Sequence, residues 1–239
     1  MKKYIKTLII VSIIIFSSCS EQDFLEENPK DIISAENLYV NYAGFQTGIN
    51  GLYSYVLKER QGPGGTSNYV FNIPMMQGTD IAWACLWGHT GNLSYDELNT
   101  LTSEANYLGD LWDWLYEVIN AANTIIDRAE NENVDWGTNA AERKNHILAE
   151  ARTHATNLWN DVPLTLQESK GSDIGKEWRP TARIEVEEQM EADWLFAMEH
   201  LPEVQEIPGR LSKAVPMHYL TELYLIWGEY SQAETMAKN

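Results

Sequence analysis

The sequence has little positive charge. Its 239 residues include 17 lysine and arginine residues against 35 aspartate and glutamate residues, which gives a formal net charge of −18. A protein that binds nucleic acid needs a patch of basic side chains to neutralise phosphates. Here the basic residues are scattered along an acidic chain, so the composition excludes nucleic acid as a partner.

The sequence also lacks a hydrophobic run long enough to cross a membrane. The apolar stretch Leu8–Phe16 has nine residues and is interrupted by Ser12, whereas a membrane-spanning helix needs about 20 apolar residues. This stretch follows the basic segment Met1–Lys6 and precedes small residues, which is the pattern of a secretory signal.

Cysteine is scarce, and one of the two cysteines closes this signal. Phe16-Ser17-Ser18-Cys19 resembles the bacterial lipobox, which implies cleavage before Cys19 and acylation of that residue. We therefore expect a signal peptide over residues 1–18 and an acylated cysteine with its tether over 19–33. An ordinary signal followed by a chance cysteine is the alternative. Cys85 is then the only other thiol, so no intramolecular disulfide is expected.

Apolar residues from position 34 onward recur at steps of three and four. The series from Leu38 to Val56 predicts one helix with Ser34 as its N-cap. No β-hairpin pattern stands out, so the predicted fold class is mainly α. Four more helices are predicted, over residues 108–129, 140–158, 184–201 and from just after Ser212 to 228.

Residues 62–106 lack this period and are predicted to form a loop-rich insert. Near the end of the sequence, Leu220–Ala233 resembles the helix–turn–helix of a tetratricopeptide repeat. One such unit buries its apolar face only against neighbouring units. We therefore expect tetratricopeptide-like helix pairs packed as an incomplete α-solenoid.

A series of short motifs resembles the SusD/RagB family of outer-membrane nutrient-binding lipoproteins. Each motif is weak alone, but they follow the lipobox in the order of the family over residues 19–239. The motifs are Phe24–Lys30, Asn50–Ser54, Trp112-x3-Tyr116-x2-Ile119-x3-Asn123, Ala149–Arg152, Asp161–Leu164, Arg183 with Asp193 and Leu201-Pro202, and Gly209-Arg210.

This resemblance implies a non-catalytic role without a cofactor or a metal. The family captures a nutrient, usually an oligosaccharide, at the cell surface and passes it to a SusC-like TonB-dependent outer-membrane transporter. The acidic Ser20–Asp23 after the lipobox resembles a surface-export signal, so a lipid-anchored position on the outer membrane is expected. Residues 34–239 then match the N-terminal helical domain of the family, and its C-terminal subdomain is expected to be absent from this sequence.

One stretch of the sequence departs from the family pattern. The family usually has an aromatic-rich stretch between the motifs that correspond to Ala149–Arg152 and Asp161–Leu164. Here the residues between Arg152 and Asp161 are about two helical turns fewer than in the family.

Candidate ligand-binding residues lie in the predicted insert. Sugar rings present apolar C–H faces framed by hydroxyls, so a site needs flat aromatic rings beside polar side chains. The resemblance points to Asp80, Trp83 and Trp87, with packing of the two tryptophans as the alternative. His89, Asn92 and Tyr95 complete this candidate site. By contrast, the spacing of Trp112, Tyr116 and Ile119 predicts a buried stripe.

Two rival functions remain open from the sequence. The helix pairs could form a protein-interaction module that binds no small molecule. Alternatively, His146, Glu150 and His154 stand four residues apart on one predicted helix face, where imidazole and carboxylate groups could bind zinc in a metal-dependent hydrolase.

Overall fold

A computed structural model describes residues 34–61, 106–155, 162–173 and 175–238. These ranges are mainly helical, which confirms the predicted fold class. Contacts divide the chain into two units between Asn37 and Leu38. The helices are α1 (Ala35–Leu38), α2 (Tyr42–Gln61), α3 (Asn106–Ala129), α4 (Ala140–Ala155), α5 (Arg183–His200), α6 (Ala214–Trp227) and α7 (Tyr230–Lys238), with a 3-10 turn at Gly171–Asp173.

The first predicted helix is interrupted, so the expectation of one continuous helix is wrong. Between α1 and α2 the backbone pairs with a distant segment: Asp135 N donates to Val40 O and Tyr42 N donates to Asp135 O, both at 3.0 Å. The side chain of Asn41 then accepts from Gly44 N at 3.0 Å, which satisfies a backbone donor in the first turn of α2.

The remaining predicted helices agree with the structure to within a few residues. α6 begins at Ala214 with Lys213, and not Ser212, at its N-cap position. It ends at Gly228, whose φ of 78° is the left-handed conformation that glycine adopts at a helix end. The end of α4 is described up to Ala155, since residues 156–161 lie outside the described residues. Residues 62–105 of the insert predicted over 62–106 lie outside them as well, and Asn106 is the first residue of α3.

The helices pack in the order of the sequence. From α3 onward each helix packs against the next one, and α2 packs against both α3 and α4. This serial arrangement of neighbouring helices is the tetratricopeptide-like solenoid that the sequence predicts. None of the described helices combines the length and the apolar character needed to cross a membrane.

The two largest apolar clusters of the described residues form most of the core. In the first, Phe45 of α2 stacks on Trp136 with ring centroids 4.6 Å apart, beside Ile125 of α3 and Ile147 of α4. In the second, Trp194 of α5 packs with residues of α6 and α7. Each such large side chain contributes about 1.5–3 kcal/mol on burial, so these clusters supply the rigid frame that carries the surface features below.

Candidate functional site

The site residues predicted from the sequence cannot be placed. Cys19, Cys85 and the candidate ligand-binding residues Asp80, Trp83, Trp87, His89, Asn92 and Tyr95 all lie outside the described residues. Their roles therefore stay predictions, and the geometry below concerns the described ranges.

One face of α3 borders an open groove of about 590 Å³. Trp112, Tyr116 and Asn120 are spaced by four residues and so follow one row along the helix. The opposite wall comes from the 163–169 segment and from Trp178. A groove of this volume is in the size range of small-ligand sites. We call it the Trp112 groove.

The aromatic rings of the Trp112 groove are partly open to solvent. Trp112 is 38% exposed and Trp178 is 42% exposed. The rings of Trp112 and Tyr116 lie 4.8 Å apart at an angle of 42°. Tyr116 OH donates to Pro163 O at 2.9 Å, and burial raises the pKa of its phenol, so Tyr116 is a fixed neutral part of the wall.

This exposure corrects the prediction that Trp112 belongs to a buried stripe. The buried row of α3 runs one position away and consists of Leu111, Leu115, Val118, Ala122 and Ile125. Trp112 and Tyr116 stand about 100° further round the helix, at the margin of the core. Both rows have the same spacing, so periodicity could not tell which of them faces the core.

Amide side chains of α3 hold the opposite wall in place. Asn123, which is buried, donates from Nδ2 to Thr165 O at 2.8 Å, and Asn120 Oδ1 accepts from Ser169 N at 2.8 Å. Asn123, the last residue of the Trp112-x3-Tyr116-x2-Ile119-x3-Asn123 motif, therefore bridges α3 to this segment.

An ion pair fixes the same segment further along α3. Arg128 makes a two-point contact with the Glu168 carboxylate, from Nε at 2.9 Å and from Nη2 at 3.0 Å. Asp127 Oδ2 accepts from Glu168 N at 2.7 Å. Parallel bonds between guanidinium and carboxylate give a defined orientation. The groove wall is therefore preorganised by α3, which reduces the ordering cost of binding a ligand.

A second groove, of about 720 Å³, lies between α4 and the 200–210 segment. Tyr42 lines it, but the guanidinium of Arg143 stands 4.5 Å from the centre of that ring and covers one face. Val204 and Ile207 on its far side are exposed aliphatic residues. The described lining of this second groove has one Tyr or Trp ring, against three in the Trp112 groove, where Lys176 likewise stands 4.3 Å from the centre of the Trp178 ring.

Three of the sequence motifs meet in a buried polar network around Glu150. This carboxylate is fully buried; its Oε2 accepts from Tyr53 OH at 2.6 Å and its Oε1 lies 3.4 Å from Arg210 Nη1. Tyr53 OH accepts in turn from Leu211 N at 2.7 Å, and Arg210 Nη2 donates to Asn50 Oδ1 at 3.1 Å. Burial and the neighbouring carboxylate raise the pKa of Tyr53. The network ties α2, α4 and the 209–211 segment together.

The structure brings His146 Nε2 to 3.3 Å from Glu150 Oε1, but the rest of the network speaks against the metal site proposed from His146, Glu150 and His154. The guanidinium of Arg210 already neutralises Glu150, so a metal ion there would add a second positive charge. His154 packs edge-on against Tyr53 at 4.9 Å, and burial lowers its pKa to about 4. Within the described ranges no three His, Cys, Asp or Glu side chains are grouped to hold a metal ion.

The fold and the site together define a helical, tetratricopeptide-like protein with an aromatic groove on its surface. Comparison with known sequences finds two curated relatives from Formosa agariphila. "SusD-like protein P2" is 28% identical over 241 residues, which is 100% of this chain and 46% of that protein. "SusD-like protein P25" is 29% identical over 231 residues, 87% of this chain and 41% of that protein. No protein-family model matches the chain.

Comparison with solved structures agrees. A laminarin-binding SusD-like protein superimposes with a TM-score of 0.66 at 19% identity, over 83% of this chain and 43% of that one. At this identity the likeness shows the fold. The chain is therefore SusD-like in sequence and in fold, which confirms the resemblance seen in the motifs. It spans less than half the length of the curated relatives that it matches.

Proposed function

We propose that this chain is part of a surface lipoprotein that captures an oligosaccharide. The observation that carries the proposal is the Trp112 groove, where the partly exposed rings of Trp112 and Trp178 stand beside the carboxylates of Asp113 and Glu117. Flat rings suit the apolar faces of sugars, and carboxylates accept hydrogen bonds from the hydroxyls that frame those faces. The laminarin-binding SusD-like protein that shares the fold supports a glycan as the ligand.

The proposal includes the anchor and the partner expected from the sequence. Cleavage before Cys19 and acylation of that residue would hold the protein on the outer membrane, at the cell surface. There it would deliver its ligand to a SusC-like TonB-dependent transporter. The SusD-like assignment supports this partner. Residues 34–239 would then form the N-terminal helical domain, and the predicted residues Asp80, Trp83, Trp87, His89, Asn92 and Tyr95 would extend the binding surface.

The arrangement of carboxylates supports a binding role without catalysis. A glycosidase places two carboxylic acids on either side of the bond that it cleaves. Asp113 and Glu117 are one turn apart on α3 and both stand on the same wall of the Trp112 groove. They suit the positioning of hydroxyls better than attack on a glycosidic bond from two sides.

Binding measurements on two tryptophan variants test the proposal. We expect Trp112→Ala and Trp178→Ala each to weaken the binding of β-1,3- or β-1,4-linked glucose oligomers by about 3- to 10-fold, because ring stacking is worth about 0.5–1.5 kcal/mol beyond buried area. Isothermal titration calorimetry of the purified protein gives the dissociation constants. Tyr230→Ala is the matched control, since this ring is 70% exposed and lies on α7, away from the groove.

The same experiment separates glycan capture from the protein-interaction alternative. Leu225, Ile226 and Tyr230 form an exposed apolar set on α6 and α7, each more than half exposed. If a panel of neutral and anionic oligosaccharides gives no binding while Tyr230→Ala abolishes co-purification with a protein partner, the interaction module is correct and glycan capture is wrong.

A further inference from the structure

The charged residues that line the Trp112 groove have one sign. Asp113 and Glu117 are both exposed and stand one turn apart on α3. Among the described lining residues these two carry charge, and both are negative. The chain as a whole is also strongly acidic, so no opposing long-range field is expected.

Basic side chains of the same region lie outside the groove lining. Lys170 and Arg179 are exposed next to the lining residues Ser169 and Trp178, and Arg179 Nη2 lies 3.5 Å from Glu177 Oε2. Arg128 is bound to both oxygens of Glu168. Lys176 stands over the Trp178 ring at 4.3 Å and 3.8 Å from Asp173. None of these four cations is part of the groove lining. A ligand in the groove therefore meets two carboxylates on α3 without a matching basic side chain in the described lining.

Carboxylates discriminate between kinds of sugar by hydrogen-bond chemistry as well as by charge. An ionised carboxylate only accepts hydrogen bonds, and a sugar hydroxyl donates one, so neutral sugars complement Asp113 and Glu117. A uronate or a sulfate ester is also an acceptor with negative charge. At the position of a sugar hydroxyl, a uronate or sulfate group could donate no hydrogen bond to these carboxylates and would be repelled by their negative charge.

We infer that the Trp112 groove selects uncharged oligosaccharides over glycans that carry uronic acid or sulfate groups, with Asp113 and Glu117 as the specificity-determining residues. This inference rests on the proposed function, because it names the class of glycan that the groove accepts. Two unit charges about 7 Å apart in water repel enough to weaken binding about threefold. With both carboxylates acting, we expect a discrimination of about tenfold at low salt.

Paired ligands test the inference. Calorimetry first measures β-1,3- and β-1,4-linked glucose hexamers, and then the same hexamers with their 6-hydroxymethyl groups oxidised to carboxylates. We expect the oxidised forms to bind the wild-type protein about tenfold more weakly at 10 mM salt. At 1 M salt the dissociation constants of the oxidised and neutral hexamers should become nearly equal, because the screening length falls to about 3 Å.

A double variant assigns the effect to the two carboxylates. We expect Asp113→Asn with Glu117→Gln to lower the ratio of the two dissociation constants, oxidised over neutral hexamer, from about tenfold to about one, because the amides keep an acceptor oxygen and carry no charge. Glu132→Gln with Glu203→Gln removes two exposed charges elsewhere and should leave the discrimination unchanged.

The outcomes distinguish the two proposals. If neither neutral nor oxidised oligosaccharides bind, the proposed function is wrong. If neutral hexamers bind but the oxidised forms bind equally well, or the preference survives the double variant and 1 M salt, the proposed function stands and the assignment to Asp113 and Glu117 is overturned.

Discussion

Replacement of Arg210 by leucine should lower the free energy of unfolding more than the loss of an exposed ion pair does. Glu150 is fully buried, and Arg210, whose side chain is 8% exposed, lies 3.4 Å from it. Without Arg210 the carboxylate would remain buried between Tyr53 and His146, whose Nε2 lies 3.3 Å from Glu150 Oε1, and would lose the guanidinium charge that balances it. Loss of one partner of a buried ion pair costs about 3–5 kcal/mol, so we expect Arg210→Leu to lower the free energy of unfolding by that amount.

Urea denaturation followed by circular dichroism measures this loss. Lys144→Met is the control, because it breaks the Lys144–Glu130 pair, which is exposed and worth less than about 1 kcal/mol. Glu150→Gln added to Arg210→Leu should restore much of the stability, since glutamine removes the charge and keeps an acceptor for Tyr53. The reasoning is refuted if Arg210→Leu costs no more than Lys144→Met, or if the glutamine fails to rescue it.

Two further predictions concern backbone packing and pH. Gly44→Ala should cost a few kcal/mol in urea denaturation, because a Cβ there would meet Leu38 O at 1.7 Å. Gly51→Ala, where nothing lies within 4 Å, should stabilise α2 by about 0.5–1 kcal/mol, and equal effects of the two changes would contradict the close approach at Gly44. Burial lowers the pKa of His154 to about 4. As the pH falls, His154 is therefore protonated in the unfolded chain before it is protonated in the folded protein. The free energy of unfolding should therefore drop by up to about 3 kcal/mol between pH 6.5 and 4. His154→Leu should remove that part of the pH dependence, and an unchanged pH profile in this variant would contradict the assignment.

Local pattern predicted most of the helices. The apolar spacing located α3, α5 and α6 to within a few residues, since a helix is held by bonds between close neighbours. The break before α2 was not predictable in the same way. It depends on backbone hydrogen bonds that join Val40 and Tyr42 to Asp135, which lies more than 90 residues further along the sequence. No local signal in the sequence reports such a pairing.

The candidate site depended still more on long-range contacts. Trp178 lies in a stretch without helical period, and it reaches the groove because Val162 and Thr181 are bridged and the 163–169 segment is held on α3. Trp112 has a neighbouring row of equal spacing, so periodicity placed it in the core. A signal that could have separated the rows is polarity: Trp112, Asp113 and Glu117 occur together on one side of α3, whereas the buried row is entirely apolar.

Composition and local spacing were enough to predict the helical class, the positions of most helices, the acidic character of the chain and its resemblance to SusD-like proteins. These properties follow from composition and from spacings within one or two turns, which are local. The tertiary structure was needed to show which row of α3 faces solvent and that Arg210 pairs with the buried Glu150. Both depend on which distant segment packs on a helix, since burial and charge pairing are set by neighbours in space and not by neighbours along the chain.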